Sequence, residues 1–219
     1  MRVAIALGGS LLDLDRTEYI AELGCLLRAV SRDLDLYLVT GGGRTARAYI
    51  RAGRSLGAPE EVLDRLGIAA TRLNALLVKA TLDDQRPVSL SIEEAAASPP
   101  PVVMGGTVPG HSTDAVAAML ARAVGARRLV IATDVDGIYT ADPKRDARAR
   151  RYQSISIREL RSMCPDEWRA AGTSSVVDGI ACRIIEEERL PSAVVSGKNL
   201  QDLENAIYGR EFNGTTIEV

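Results

Sequence analysis

Short apolar runs closed by glycine or proline alternate along this chain with longer stretches whose apolar residues recur at helical spacing. The runs Arg2–Leu7, Asp35–Thr40, Pro87–Ser91, Val102–Gly105, Arg128–Thr133, Ser192–Gly197 and Thr215–Glu218 read as strands. Most are leucine-rich or β-branched without polar alternation, the pattern of strands covered on both faces. Asp15 and Glu18 resemble a capping box ahead of Ile20, Leu23, Leu27 and Val30 at helical spacing. Arg44–Leu56 reads as a second helix. Pro59 suits the first position of a third, along which Val62, Leu66, Ala69, Leu73, Leu76 and Ala80 form an apolar stripe, with Gly67 a point of bending or interruption. Ser112 or Thr113 caps a helix carrying Ala115, Val116, Met119, Leu120 and Ala123, which Gly125 ends. Further helices are expected over Arg158–Met163, Val176–Arg189 and Leu200–Tyr208. The alternation predicts an α/β fold, a three-layer αβα sandwich around a mainly parallel sheet. With no repeat, low-complexity tract or linker, one domain over residues 1–219 is expected.

Composition narrows the function. A net charge of −2 supplies no global field for nucleic acid or an anionic membrane, and no stretch approaches the ~20 apolar residues that span a bilayer. The basic run Lys144–Arg151 lacks interleaved aromatics and reads as a solvated loop. The opening MRVAIALGGSLL flows into a helical pattern and reads as a buried strand rather than a secretion signal. Cys25, Cys164 and Cys182 are odd in number and far apart, so buried or semi-buried free thiols in a reducing cytoplasm are expected, with no metal site.

Four glycine-containing segments sit at strand ends, where open α/β sheets bind ligands. Gly8-Gly9-Ser10 follows the first strand and by itself is a tight turn or an anion loop. Gly41-Gly42-Gly43-Arg44 follows the second, with Arg47 one turn on. Three glycines are costly in backbone entropy, and a phosphate nest backed by an arginine explains both features. Neither the P-loop spacing nor G-x-G-x-x-G is present. Residues 104–114, MGGTVPGHSTD, run from a strand through a rigid loop to Ser112, Thr113 and Asp114 at a helix start, suited to a phosphate but also to simple capping. His111 reads as a loop hydrogen-bonder. Residues 133–143, TDVDGIYTADP, read as successive turns, and Asp64 reads as a solvated charge on a helix.

Taken together, GGS at 8–10, VTGGGRTAR at 39–47, GGTVPGHSTDA at 105–115, TDVDGIYTADP at 133–143 and NGTTI at 213–217 resemble the amino-acid-kinase family, in order and spacing over the whole chain. Within it, the 105–115 loop is similar to that of archaeal members acting on UMP. The resemblance implies the amino-acid-kinase fold and transfer of the γ-phosphate of Mg-ATP to UMP, giving UDP and ADP in pyrimidine nucleotide synthesis. It implies that Gly9, Ser10, Gly43 and Arg47 contact ATP phosphates and that Thr133, Tyr139 and Asp142 surround the adenosine. Gly42, Asp64, Thr107, Val108, Pro109, Gly110, His111, Ser112 and Thr113 would hold UMP. Asp114 would organise the reacting centre, with Arg47 and Ser10 completing the catalytic set. A cytoplasmic homohexamer, Mg²⁺ held mainly through phosphates and water, and UTP as feedback inhibitor are implied likewise.

One departure stands out. Many family members carry a lysine ahead of the first glycines, where this chain reads Ile5-Ala6-Leu7. Positive charge near the γ-phosphate must then come from Arg47, backbone amides and Mg²⁺. Two other readings stay open: a kinase of the same fold for a different phosphorylated or carboxylate substrate, and a non-catalytic nucleotide-binding storage or regulatory subunit.

Overall fold

The computed structural model describes residues 1–141, 146, 148–164 and 177–219. Among them seven strands form one sheet in the order β3-β2-β1-β4-β6-β7-β5. These are β1 (Arg2–Leu7), β2 (Asp35–Thr40), β3 (Val102–Met104), β4 (Arg128–Thr133), β5 (Ser154–Ser156), β6 (Ser192–Ser196) and β7 (Gly214–Glu218). β3, β2, β1, β4 and β6 are parallel; β7 runs antiparallel to β6, and β5 follows β7. The helices are α1 (Thr17–Val30), α2 (Gly43–Ser55), α3 (Glu60–Thr81), α4 (Ile92–Ala97), α5 (Thr113–Val124), α6 (Ile157–Met163), α7 (Gly179–Glu187) and α8 (Leu200–Tyr208).

Successive side chains of a strand point to opposite faces, and β1 shows the consequence. Val3, Ile5 and Leu7 join a core with residues of α1, α3 and α8, while Ala4 and Ala6 join another with α5 and α7. Both faces are therefore apolar, which explains the unbroken apolar runs in the sequence. A third, smaller cluster of Ala46, Ile50, Leu63 and Ala70 binds α2 to α3.

Several local expectations give way. Residues 87–91 contribute one isolated parallel bridge, Ser89 to Met104, before Ser91 caps α4. Asp15 does not cap α1; Arg16 occupies that position, and the Asp15 carboxylate pairs with Arg44 instead. Pro59 is the N-cap of α3 rather than its first helical residue, and α3 continues through Gly67 without a break. Cys25 is exposed, whereas Cys164 is half-buried and Cys182 buried.

The largest correction concerns the face of α3. Its buried residues are Leu63, Ala70, Asn74, Ala75, Val78 and Lys79, while Val62, Leu73 and Leu76 of the anticipated stripe are exposed. Asn74 and Lys79 disguise the inward face as polar. Both are satisfied there: Asn74 Nδ2 donates to Gly41 O at 2.7 Å, and Lys79 pairs with the buried carboxylate of Asp84.

Candidate active site

The carboxyl ends of β1, β2, β3 and β4 bring the glycine segments together. The ladder runs past the strands, with Gly8 N donating to Ala132 O and Gly41 N to Leu7 O, each at 2.8 Å. Residues Gly9–Leu11 then form one 3₁₀ turn. A Cβ on Gly9 would lie 2.2 Å from Gly43 N, and one on Gly43 would lie 2.0 Å from Gly9 O. The two loops interlock backbone to backbone, and Gly43 adopts φ +56°, where glycine is favoured. A Cβ on Gly41 would sit 3.1 Å from Thr113 Oγ1, so the start of α5 closes over the same spot.

The N-terminus of α2 points its amides into this junction with no side-chain cap, whereas α5 and α7 are capped by Ser112 and Asp178. Uncapped amides at the positive end of a helix are an anion site. Two arginines flank it differently. Arg44 is held by Asp13 at 2.8 Å and Asp15 at 3.2 Å, while Arg47 is exposed and makes no salt bridge with a described residue.

The helix α3 supplies the opposite wall. Asp64, Gly67, Ile68 and Thr71 share one helical face. Gly42 approaches Gly67 O and Thr71 there, and Gly106 approaches Ile68 and Thr71. Asp64 is half-buried and not the solvated charge its sequence context suggests. Loss of water raises its carboxyl above the ordinary value, with the nearby Glu60 charge adding to it. The loop that follows is held by α3: Gly106 N donates to Thr71 Oγ1 at 2.7 Å, and Arg72 donates to Gly106 O and Thr107 O at 3.2 and 3.3 Å. Val108 and Pro109 are exposed, and Gly110 turns the chain at φ +85°. His111 departs from the loop hydrogen-bonder expected of it at one ring nitrogen, since its buried Nδ1 has no partner among the described residues.

Ser112 is the N-cap of α5, its Oγ accepting from Ala115 N at 3.1 Å, and Thr113 is the first helical residue. Asp114 follows in the first turn. Withdrawal from water, and then the charge of Asp178, push its carboxyl up to about 7. Asp178 is thus a site neighbour that the sequence did not signal, since it lies far along the chain and reads there only as part of the expected Val176–Arg189 helix.

Thr133 ends β4 against the backbone of Gly8. Tyr139 lies further along, its hydroxyl donating to Asp136 Oδ1 at 2.8 Å while Arg151 pairs with Asp136 Oδ2 at 3.0 Å. Partial burial raises the Asp136 carboxyl, but these two donors outweigh it and hold the group below its ordinary value. Gly137 needs its missing side chain, for a Cβ would meet Thr215 Oγ1 at 2.5 Å. Asp142 lies outside the described residues. Lys198, just after β6, donates to Asp134 O at 2.9 Å. It is a cation at the same sheet edge that sequence reading passed over, although Gly197-Lys198 repeats the strand-then-glycine pattern.

This architecture, with interlocked glycine loops at the carboxyl edge of a mainly parallel sheet, matches a known family. The Amino acid kinase family profile matches residues 1–196, and the chain belongs to that family. The chain is 41% identical to the uridylate kinase of Methanothrix thermoacetophila, with 99% of each chain covered. It is 42% identical to that of Methanocaldococcus jannaschii, with 100% of each covered. The crystal structure of uridylate kinase from Archaeoglobus fulgidus superposes with a TM-score of 0.88 at 39% identity, covering 99% of this chain and 100% of that one. The UMP kinase structure from Bacillus anthracis, at 20% identity and a TM-score of 0.77, shares the fold.

Proposed function

We propose that the chain catalyses transfer of the γ-phosphate of Mg-ATP to UMP, forming UDP and ADP. The observation that carries this reading is the end-to-end match to uridylate kinases at 41 and 42% identity. The geometry supports it from below. In such a transfer an oxygen of the UMP phosphate attacks the γ-phosphorus and ADP leaves, so the protein chiefly positions two anions and stabilises charge between them.

On the ATP side, Gly9, Ser10 and Gly43 offer backbone approach and Arg47 an exposed guanidinium, with Thr133, Tyr139 and Asp142 assigned to the adenosine. On the acceptor side, Gly42, Asp64 and Thr107–Thr113 hold UMP, Asp64 accepting from the ribose hydroxyls. Asp114 lies where both meet and orients the groups around the transferring phosphoryl. Ala6 is fully buried in the α5 and α7 core and brings no charge to the site, so Arg47 and the α2 amides supply the positive charge near the γ-phosphate.

Residues 1–219 act as one domain, a reading supported by the single sheet to which β7, beyond the matched 1–196 segment, also belongs. The exposed Val62, Leu73 and Leu76 on α3 support a homo-oligomer, with a hexamer as the expected form. No described helix is long and apolar enough to cross a membrane, and cytoplasmic action with UTP as feedback inhibitor completes the proposal. The test is ADP release from Mg-ATP with UMP, CMP, AMP or isopentenyl phosphate as acceptor. UMP should be used far better than the others. Preference for another acceptor would reassign the substrate, and no turnover at all would make the chain a nucleotide-binding subunit.

A further inference from the structure

We infer that Arg72 is a positioning residue for the acceptor loop: its guanidinium holds two successive carbonyls against α3 so that the next two amides face the acceptor nucleotide. This rests on the reading that residues 107–113 contact UMP. Arg72 Nε donates to Gly106 O at 3.2 Å and Nη2 to Thr107 O at 3.3 Å. In a trans peptide the carbonyl and the following N–H point in opposite directions. With the Gly106 and Thr107 carbonyls drawn onto α3, the N–H groups of Thr107 and Val108 turn away from the helix. Among the described residues neither N–H has an acceptor. They form a pair of fixed donors suited to oxygen acceptors on a ligand.

The rest of the attachment is built for accuracy. Thr71 Oγ1 accepts from Gly106 N and donates to Ile68 O at 2.6 Å, while Thr40 Oγ1 donates to Thr71 O at 2.8 Å. This chain of bonds ties the loop to the end of β2. A Cβ on Gly105 would meet Thr71 Oγ1 at 2.6 Å and Arg72 N at 2.8 Å, so the loop lies directly on the helix backbone. Past Gly106, the Arg72 fork is the last described hydrogen bond on the loop before Ser112 caps α5. Arg72 makes no salt bridge with a described residue. A lysine, with one ammonium, could not match the planar two-point grip.

The experiment measures UMP binding by calorimetry and steady-state kinetics on the wild type, Arg72→Ala, Arg72→Gln and Arg72→Lys, with thermal melts on each. Arg72→Ala and Arg72→Gln should raise the UMP KM roughly tenfold or more while the ATP KM moves less than about threefold, and Arg72→Lys should recover part of the loss. Amide exchange at Gly106, whose N–H is held by Thr71 Oγ1, should quicken in Arg72→Gln, which keeps the assignment testable if Arg72→Ala folds poorly. An unchanged UMP KM in Arg72→Gln, or equal rises for UMP and ATP with a lowered melting temperature, would overturn the inference. Absence of UMP binding by the wild type would instead overturn the functional reading on which it rests.

Discussion

Gly9 and Gly43 interlock so closely that a side chain on either would lie 2.2 Å or less from the other's backbone. The neighbours are main-chain atoms that cannot rotate aside, so a methyl group must part the two loops. Gly9→Ala should therefore cost about 2–4 kcal/mol of stability, in the range of overpacking and strain effects. It should also lower kcat/KM for ATP by roughly 10²-fold, since small misplacements at a reacting centre are that costly. Gly57→Ala is the control: its φ is +77°, but nothing lies within 4 Å of the added Cβ. That variant should lose about 1 kcal/mol to backbone strain and keep wild-type kinetics.

The contrast between Arg44 and Arg47 gives a second prediction. Arg44 is held by Asp13 and Asp15, leaving Arg47 to swing onto a phosphate at the α2 N-terminus. Arg47→Ala should lower kcat at least as much as it raises either KM, by up to about 10³-fold, because the lost contact tightens in the transition state as charge develops between the γ-phosphoryl and the departing ADP. Arg47→Lys should recover part of the rate. Wild-type kcat in Arg47→Ala would leave the amides and Mg²⁺ sufficient alone.

How far the sequence revealed this follows from what each residue contacts. β1, β2, β4 and β6 were legible because both their faces are buried and their runs are apolar throughout. β5 was not: it is a three-residue edge strand, Ser154-Ile155-Ser156, with only Ile155 inward. The inward face of α3 was misread because its polar members, Asn74 and Lys79, are satisfied by partners distant in sequence or in the following turn. At the site, glycine runs marked the loops that touch backbone to backbone. Asp178 and Arg72 act from helices with no such marker, and only the packing of α7 and α3 brings them into place.

Asp114 makes a pH-dependent prediction. Burial and the Asp178 charge raise its carboxyl from the ordinary 3.8 to about 7. Between those values the folded state holds a proton that the unfolded chain has released, so this group's contribution to stability falls as pH rises through the window. Asp114→Asn cannot titrate. Its stability relative to wild type should improve between pH 4 and 8 by about 1–3 kcal/mol. Each tenfold change in proton affinity is worth roughly 1.4 kcal/mol, and partial exposure to water reduces the total. Urea melts of both proteins across that range measure the difference, and a constant offset would contradict the assignment.

Lys79 and Asp84 form a buried pair beneath the turn after α3, and Arg86 ties Asp84 to the carbonyls of Pro99 and Pro101 ahead of β3. Burial raises the Asp84 carboxyl, but the hydrogen bonds from Arg86 and Lys79 prevail and hold it well below its ordinary value. Asp84→Asn leaves Lys79 charged and under-paired inside the protein, which should cost about 3–5 kcal/mol. The depressed carboxyl contributes stability above about pH 4 that is lost as pH falls, so the gap between variant and wild type should narrow in acid. A loss below about 1 kcal/mol at pH 7 would show the pair to be dispensable.

Phosphoryl transfer to UMP is the claim on which the site assignments depend, and tracing the phosphate tests it most directly. ATP labelled in its γ-phosphate is incubated with Mg²⁺, UMP and the protein, and the products are separated by chromatography. The account predicts label in UDP, equal in amount to the ADP formed, with Arg47→Ala slowing its appearance. Label found only as inorganic phosphate, or retained in ATP while both nucleotides bind, would contradict it.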